Sequence, residues 1–202
     1  MPGELLVTDD LTPNQAEKRR RAVESVIEIV GRSTVEGVSM KEVSTESGVA
    51  LATLYRFFNS RDHMVAAAMA EWHGRYVRHQ RLHAQRTGPL ADRVFNHLQV
   101  GLRAYERNPN FLSLSLMPSL ASDPHASREV YGTRMDGINL IADLLADLGT
   151  ERAAAYAQVI MACQVDHLVQ WMTGRLTYIG VLDMFRRQLD LMLGDLERVD
   201  SH

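Results

Sequence analysis

Apolar residues recur along most of this chain with the period of a helix, and hardly anywhere with the period of a strand. Val23, Val26, Ile27 and Val30 stand at the i, i+3, i+4, i+7 spacing that lines one helical face. In front of them, Thr12-Pro13-Asn14-Gln15 offers a capping Thr, Pro at the first helical position and Gln three residues after the cap. A first helix is therefore predicted from Pro13 to near Gly31. Ser39-Met40-Lys41-Glu42 repeats the capping pattern, and a second helix from it can run only to Gly48, roughly two turns. A third short helix, Ala50 to Phe58, follows at once, with Ser60 as the cap of the next.

From Ser60 onward nearly everything reads as helix. Breaks fall at Thr87-Gly88-Pro89, Asn108-Pro109, Ser122-Asp123-Pro124, Gly149-Thr150 and between Gly174 and Gly180, giving about six further helices. Leu112-Ser113-Leu114-Ser115-Leu116 alternates like a strand, but no partner strand is visible and Pro118 would interrupt a sheet, so it reads as irregular helix. The predicted fold class is all-α. A flexible arm over residues 1–12 precedes a three-helix, helix-turn-helix head over 13–59. A helical body for ligand binding and dimerisation spans 60–202.

The third helix carries the chemistry. At about 100° per residue, Leu54 and Phe58 point inward with Ala50 and Phe57 beside them, while Ala52, Thr53, Tyr55 and Arg56 face away. Small, hydroxyl, aromatic and guanidinium groups on one outward face can approach phosphates and base edges closely. Lys41 at the start of the second helix and Arg61 just after the third add positive charge at both ends. Two short helices joined by a Gly-containing turn form the outline of a DNA-reading helix-turn-helix.

Composition bounds the alternatives. The chain has 202 residues, 46% apolar and 23% charged, with 13 Gly and 6 Pro, which is a globular composition able to bury a core. Its formal net charge of −3 argues against a uniformly basic nucleic-acid binder, but Lys18-Arg19-Arg20-Arg21 is a compact local exception. Cys163 stands alone, so no internal disulfide is expected. Met1 to Asp10 lacks the basic start and apolar run of a secretory signal, and no long uncharged apolar stretch implies a membrane span, so the expected location is cytoplasmic.

Gly48-Val49, Thr53-Leu54-Tyr55-Arg56-Phe57-Phe58 and Ser60-Arg61, preceded by Val43, resemble the signature of the TetR family of bacterial repressors. The resemblance covers about Gln15 to Met69; beyond it only helix number and length match. It implies that Lys41, Leu51, Ala52, Thr53, Tyr55 and Arg61 touch DNA, and that Val43, Val49, Leu54 and Phe58 pack the head. Leu51 departs from the polar reader frequent in the family, and Phe57 replaces a frequent His. The segment around Arg107-Asn108-Pro109 and the Trp171 helix also look like actinobacterial regulators of steroid degradation, which points to a sterol-derived or acyl-CoA effector.

In the body, Ile160, Cys163, His167 and Trp171 form one apolar row, and Met161, Val165, Leu168 and Met172 a second. Leu182, Phe185, Leu189 and Met192 recur at steps of three and four, as in a helix-helix seam. Intrachain core explains such rows equally well, but the resemblance implies a homodimer whose last two helices pair with their copies. Met161, Val165, Leu168, Met172, Leu182, Phe185, Leu189 and Met192 are the expected interface. A twofold dimer would match a palindromic operator of double-stranded DNA.

Candidates to line an apolar effector site are Trp72, Phe95 and Tyr105, then Leu112 and Met117, with Asn139, Cys163, His167 and Trp171. Each also fits ordinary core. No cofactor is implied. Against this reading stand a helical enzyme or metal protein and a protein-binding adaptor. His79 and His83 form an i, i+4 pair, but no third ligand stands at a matching spacing, and no Gly-rich phosphate loop or nucleophile elbow is present. An adaptor would leave outward Thr53, Tyr55 and Arg56 without a role.

Overall fold

The computed structural model describes residues 11–194 and Leu196. Most of the expected N-terminal arm, residues 1–10, lies outside them. Among the described residues the chain forms α1 (Pro13–Arg32), a 3-10 turn at Val35–Gly37, α2 (Met40–Ser47), α3 (Leu51–Phe57) and α4 (Arg61–His83). There follow α5 (Leu90–Arg107), α6 (Asn110–Leu116), α7 (Pro124–Leu144), α8 (Thr150–Met172) and α9 (Tyr178–Leu193), with 3-10 turns after α6 and α7.

Local signals account for the boundaries. The Gln15 N–H donates to Thr12 Oγ1 at 3.4 Å and the Thr12 N–H donates to Gln15 Oε1 at 2.8 Å, so α1 opens on a reciprocal capping box with Pro13 in its first turn. Ser39 Oγ accepts the Glu42 N–H at 3.1 Å and starts α2. Gly48 ends it at φ +65°, in the left-handed region, which allows α3 to begin three residues later. The Leu112–Leu116 alternation belongs to α6, where Leu112, Ser113, Leu114 and Leu116 are all buried. The short helix is sunk on more than one side, and Ser113 is satisfied there: its hydroxyl donates to Asn110 O at 2.7 Å and accepts the Val35 N–H at 3.2 Å.

Two compact units result. One runs to Gly74 and includes Asn110–Thr133; the other comprises Arg75–Pro109 and the chain from Arg134. The core of the first joins Val23, Val26 and Val30 of α1 to Val43, Leu54, Phe57 and Phe58, with Leu114 of α6. In the second, α9 packs on α5 and α8. Among the described residues, no helix is long and apolar enough to cross a membrane.

The second unit corrects part of the expected dimer seam. Phe185 and Leu189 are each 1% exposed and Leu168 is 4% exposed, so a second copy could cover almost nothing more of them. The three-four spacing selects an apolar stripe but does not say what covers it; here the covering is intrachain. Met161, Leu182 and Met192 are half-buried, and Val165 and Met172 are exposed, as are Val159, Ile179 and Leu191 on the same two helices.

A Cβ at Gly48 would meet nothing within 4 Å, so the constraint there is the backbone angle alone. Gly48→Ala should destabilise the chain by about 1–2 kcal/mol in urea unfolding, and Gly48→Asn by less. Equal stability of all three would disprove the left-handed turn.

Candidate nucleic-acid interface

The turn between α2 and α3 is held by its own hydroxyls. Ser44 donates to Val49 O at 2.8 Å, Ser47 donates to Val43 O at 2.6 Å, and Ser47 Oγ accepts the Val49 N–H at 3.2 Å. With the turn fixed, Leu54 and Phe58 are fully buried and Phe57 is 2% exposed, while Ala50, expected to flank them, is exposed. The opposite side of α3 presents Leu51, Ala52, Tyr55 and Arg56, all exposed, with Thr53 half-buried. Lys41 is exposed in the first turn of α2. Among the described residues, the side chains of Lys41, Tyr55 and Arg56 form no hydrogen bond or ion pair. The face thus offers two free cations, one aromatic hydroxyl and a small-residue patch, groups able to meet an anionic backbone and the edges of bases.

Arg61 has a different place from the one expected. Its Nε donates to Val38 O at 2.8 Å, its Nη2 to Val35 O, and its Nη1 meets Asp62 at 3.1 Å. A guanidinium fork holding two carbonyls of the loop after α1 is a staple of the head, with its donors turned inward rather than toward a phosphate. The basic run of α1 is likewise divided by the helical turn. Arg19 lies 5.2 Å from the Phe58 ring centroid and 3.6 Å from Glu129, whereas Arg20 is paired with Glu17 through two contacts of 2.8 Å. Burial pulls the Arg19 pKa down, and the Glu129 carboxylate opposes this.

A polar knot at the start of α4 was not foreseen. Ser60 Oγ accepts the His63 N–H at 3.0 Å, and the Ser60 hydroxyl donates to Asp123 Oδ2. Asp123 Oδ1 in turn accepts the N–H groups of His125 at 2.7 Å and Ala126 at 3.3 Å in the first turn of α7. One carboxylate thus bridges the first turns of two helices. Burial pushes Asp123 up, but the Ser60 hydroxyl and the two backbone amides hold it below the ordinary carboxylate value. His63 stacks on His125 with centroids 5.1 Å apart, and its Nδ1 accepts the Asn59 N–H at 3.1 Å, so the neutral ring carries its proton on Nε2, 4.0 Å from Glu129. Ser122-Asp123-Pro124 carried a legible capping signal; a partner 63 residues away did not.

The effector candidates fall in both units. In the first, Trp72 stacks on Phe111 at 4.7 Å with planes 5° apart, Leu112 is buried and Met117 is 36% exposed. In the second, Tyr105 is buried with Trp171 edge-on at 6.4 Å, Phe95 lies under the Arg186 guanidinium at 5.4 Å, and Cys163 is half-buried. His167 is 1% exposed, sits edge-on to Phe185 at 4.5 Å, and its Nδ1 has no hydrogen-bond partner among the described residues. Asn139 is exposed and so does not serve as a polar group in an apolar lining; it faces solvent between the buried Ile138 and Leu140. Among the described residues no group of three or more metal-ligating side chains is gathered.

No protein-family model matches the chain. It is 29% identical over 198 residues to the HTH-type transcriptional repressor KstR of Rhodococcus jostii, covering 94% of this chain and 90% of that protein. To KstR of Mycolicibacterium smegmatis it is 28% identical, covering 91% of each. A crystal structure of a TetR transcriptional regulator from Rhodococcus sp. RHA1 superposes with a TM-score of 0.75 at 24% identity, over 90% of this chain and 98% of that one. A second, the regulator FadR of Bacillus subtilis in complex with stearoyl-CoA, gives 0.67 at 11% identity, over 86% and 97%.

Two outcomes follow from the geometry. Arg61→Ala should cost about 1–3 kcal/mol of stability by releasing buried carbonyls, as read in urea unfolding; an unaltered unfolding midpoint would contradict the staple. Burial holds His63, His73 and His97 at about 4 against an ordinary 6.5, with His125 and Arg19 adding to the effect at His63. Between those values the unfolded chain binds protons that the folded chain does not, so this stability is complete above about pH 6.5 and falls as the pH drops toward 4. The melting temperature should decline from pH 7 to pH 5, and His63→Phe should show a smaller decline than the wild type.

Proposed function

We propose that this chain is a TetR-type transcriptional regulator rather than an enzyme, and that it represses transcription by binding a palindromic operator as a homodimer and lets go when a small apolar effector enters its body. The observation that carries the reading is the division of α3 into a buried side, Leu54 and Phe57, and an exposed side, Leu51, Ala52, Tyr55 and Arg56. A helix so divided can lie in a major groove while it stays docked in its head. Lys41 and Arg56 supply phosphate contacts, Tyr55 a hydroxyl for phosphate or base, and Ala52 and Thr53 leave room for close approach.

Two such heads, in the reading with 13–59 as reader and 60–202 as body, lie about 34 Å apart on one side of the duplex. Val165 and Met172, exposed on α8, supply apolar surface for the dimer, with Met161, Leu182 and Met192 at its margin. For the effector, an acyl-CoA or sterol-derived molecule is favoured by the likeness to KstR repressors and by the stearoyl-CoA bound to FadR. His167, with its open Nδ1, is placed to meet a ligand carbonyl or hydroxyl. Such a ligand changes operator affinity by binding the two states of the dimer differently, a coupling of typically ~1–3 kcal/mol. The protein acts where the chromosome is, in the cytoplasm.

A gel-shift titration on the duplex preceding its own coding sequence tests the core of this reading. Tyr55→Ala should weaken binding on the order of tenfold, the effect of ~1.4 kcal/mol. Lys41→Ala should lower the salt slope by about 0.9 for each phosphate contact removed, two per dimer. A monomer without affinity for any duplex at low salt refutes the proposal. Stearoyl-CoA and steroid-CoA thioesters should raise the melting temperature and release the shifted band; inert thioesters would remove the effector class and leave the repressor reading standing.

A further inference from the structure

The exposed side of α3 is unusual in what it withholds. Its first turn contains no acidic and no basic residue, and its leading side chain is Leu51, 40% exposed. Ala52 is exposed beside it, and Tyr55, one turn further on and 47% exposed, continues the same face. No amide or carboxylate is available in this stretch to pair with a base edge; its hydroxyls are that of Thr53, which is half-buried, and the phenol of Tyr55, a turn beyond the leading pair. The free cations stand at the flanks, Lys41 on α2 and Arg56 in the last turn of α3. Phosphate contacts from such cations fix position without reading sequence, and the leading exposed pair, Leu51 and Ala52, can read a base only through apolar contact.

Resting on the operator-binding reading above, we infer that Leu51 and Ala52 select thymine by packing on its C5-methyl group in the major groove. Of the four bases only thymine presents an apolar group on that edge; guanine shows two acceptors, cytosine a donor, adenine one of each. Leucine against any of the latter three would bury an unpaired donor or acceptor, which is unfavourable. Against the methyl it covers apolar surface, while the neighbouring O4 acceptor stays open to water. The flanking positive charge matches a duplex as the occupant of this face. The operator half-site therefore carries a thymine opposite Leu51.

Deoxyuridine isolates this contact, since it pairs as thymidine does and lacks only the methyl. The duplex preceding the coding sequence is prepared in thymidine and deoxyuridine forms and titrated with wild type and Leu51→Ala. Wild type should bind the deoxyuridine form more weakly, about fourfold per lost methyl contact and on the order of tenfold over two half-sites. Leu51→Ala should bind both forms within about twofold of each other, which a general change of duplex shape would not produce. Because Leu51 is exposed, the variant should melt with the wild type. Equal affinity of wild type for both forms overturns the thymine assignment alone. An equal thymidine preference in Leu51→Ala overturns the role of Leu51. Failure of the wild type to bind even the thymidine form defeats the operator-binding reading and this inference with it.

Discussion

Helix α3 has seven residues, and a helix of that length does not persist alone in water. It exists because Leu54, Phe57 and Phe58 are pressed into a core lined by the valines and isoleucines of α1 and by Val43 of α2. Each such side chain contributes about 1.5–3 kcal/mol on full burial, more than the short helix loses through its few internal hydrogen bonds. That docking also settles the other side. Once these three positions point inward, helical geometry leaves Leu51, Ala52, Tyr55 and Arg56 in the open, and the surface a duplex would meet is the remainder of a packing problem.

Polar groups do the fastening around that core. In the loop following α1, Arg61 takes two carbonyls, that of Val38 and that of Val35, which also accepts the Val38 N–H. Asp123 serves amides in the first turn of α7 with one oxygen and the hydroxyl of Ser60 with the other, so that two helix starts share a single acceptor. Around it, burial keeps His63 neutral, which lets the ring lie against Phe58 and His125 without a desolvated charge. Arg19 keeps its charge company by lying over the Phe58 ring with Glu129 nearby. What looked in sequence like one basic patch is therefore a mixture: a structural cation, a neutralised one, and others left to the surface.

Much of this was readable beforehand wherever the cause is local. The Thr12 cap, Pro13 and Gln15 mark the start of α1 within the residues that form it, and Gly48 marks a turn that a side chain would oppose. Spacing separates Leu54, Phe57 and Phe58 from Ala52, Tyr55 and Arg56, but it does not settle the margins: Ala50 and Leu51 are exposed and Thr53 is half-buried. Even the strand-like leucines of α6 could be refused to a sheet on the grounds of Pro118 and the missing partner.

What sequence spacing leaves open has a common origin. A cation directly after a reading helix suits a phosphate, but Arg61 also has intrachain acceptors, Val35 and Val38, more than twenty residues earlier in the chain. Phe185 and Leu189 carry the spacing of a helix-helix seam, and spacing does not tell a partner helix of the same chain from one of another copy. Periodicity, caps and turn residues act over a few positions, so the chain's linear order determined the helices, their faces and the identity of the exposed reader. Which cation is free, which apolar stripe is covered and which carboxylate ties two helix starts together depend on groups brought near one another only by folding, and those the tertiary structure alone decided.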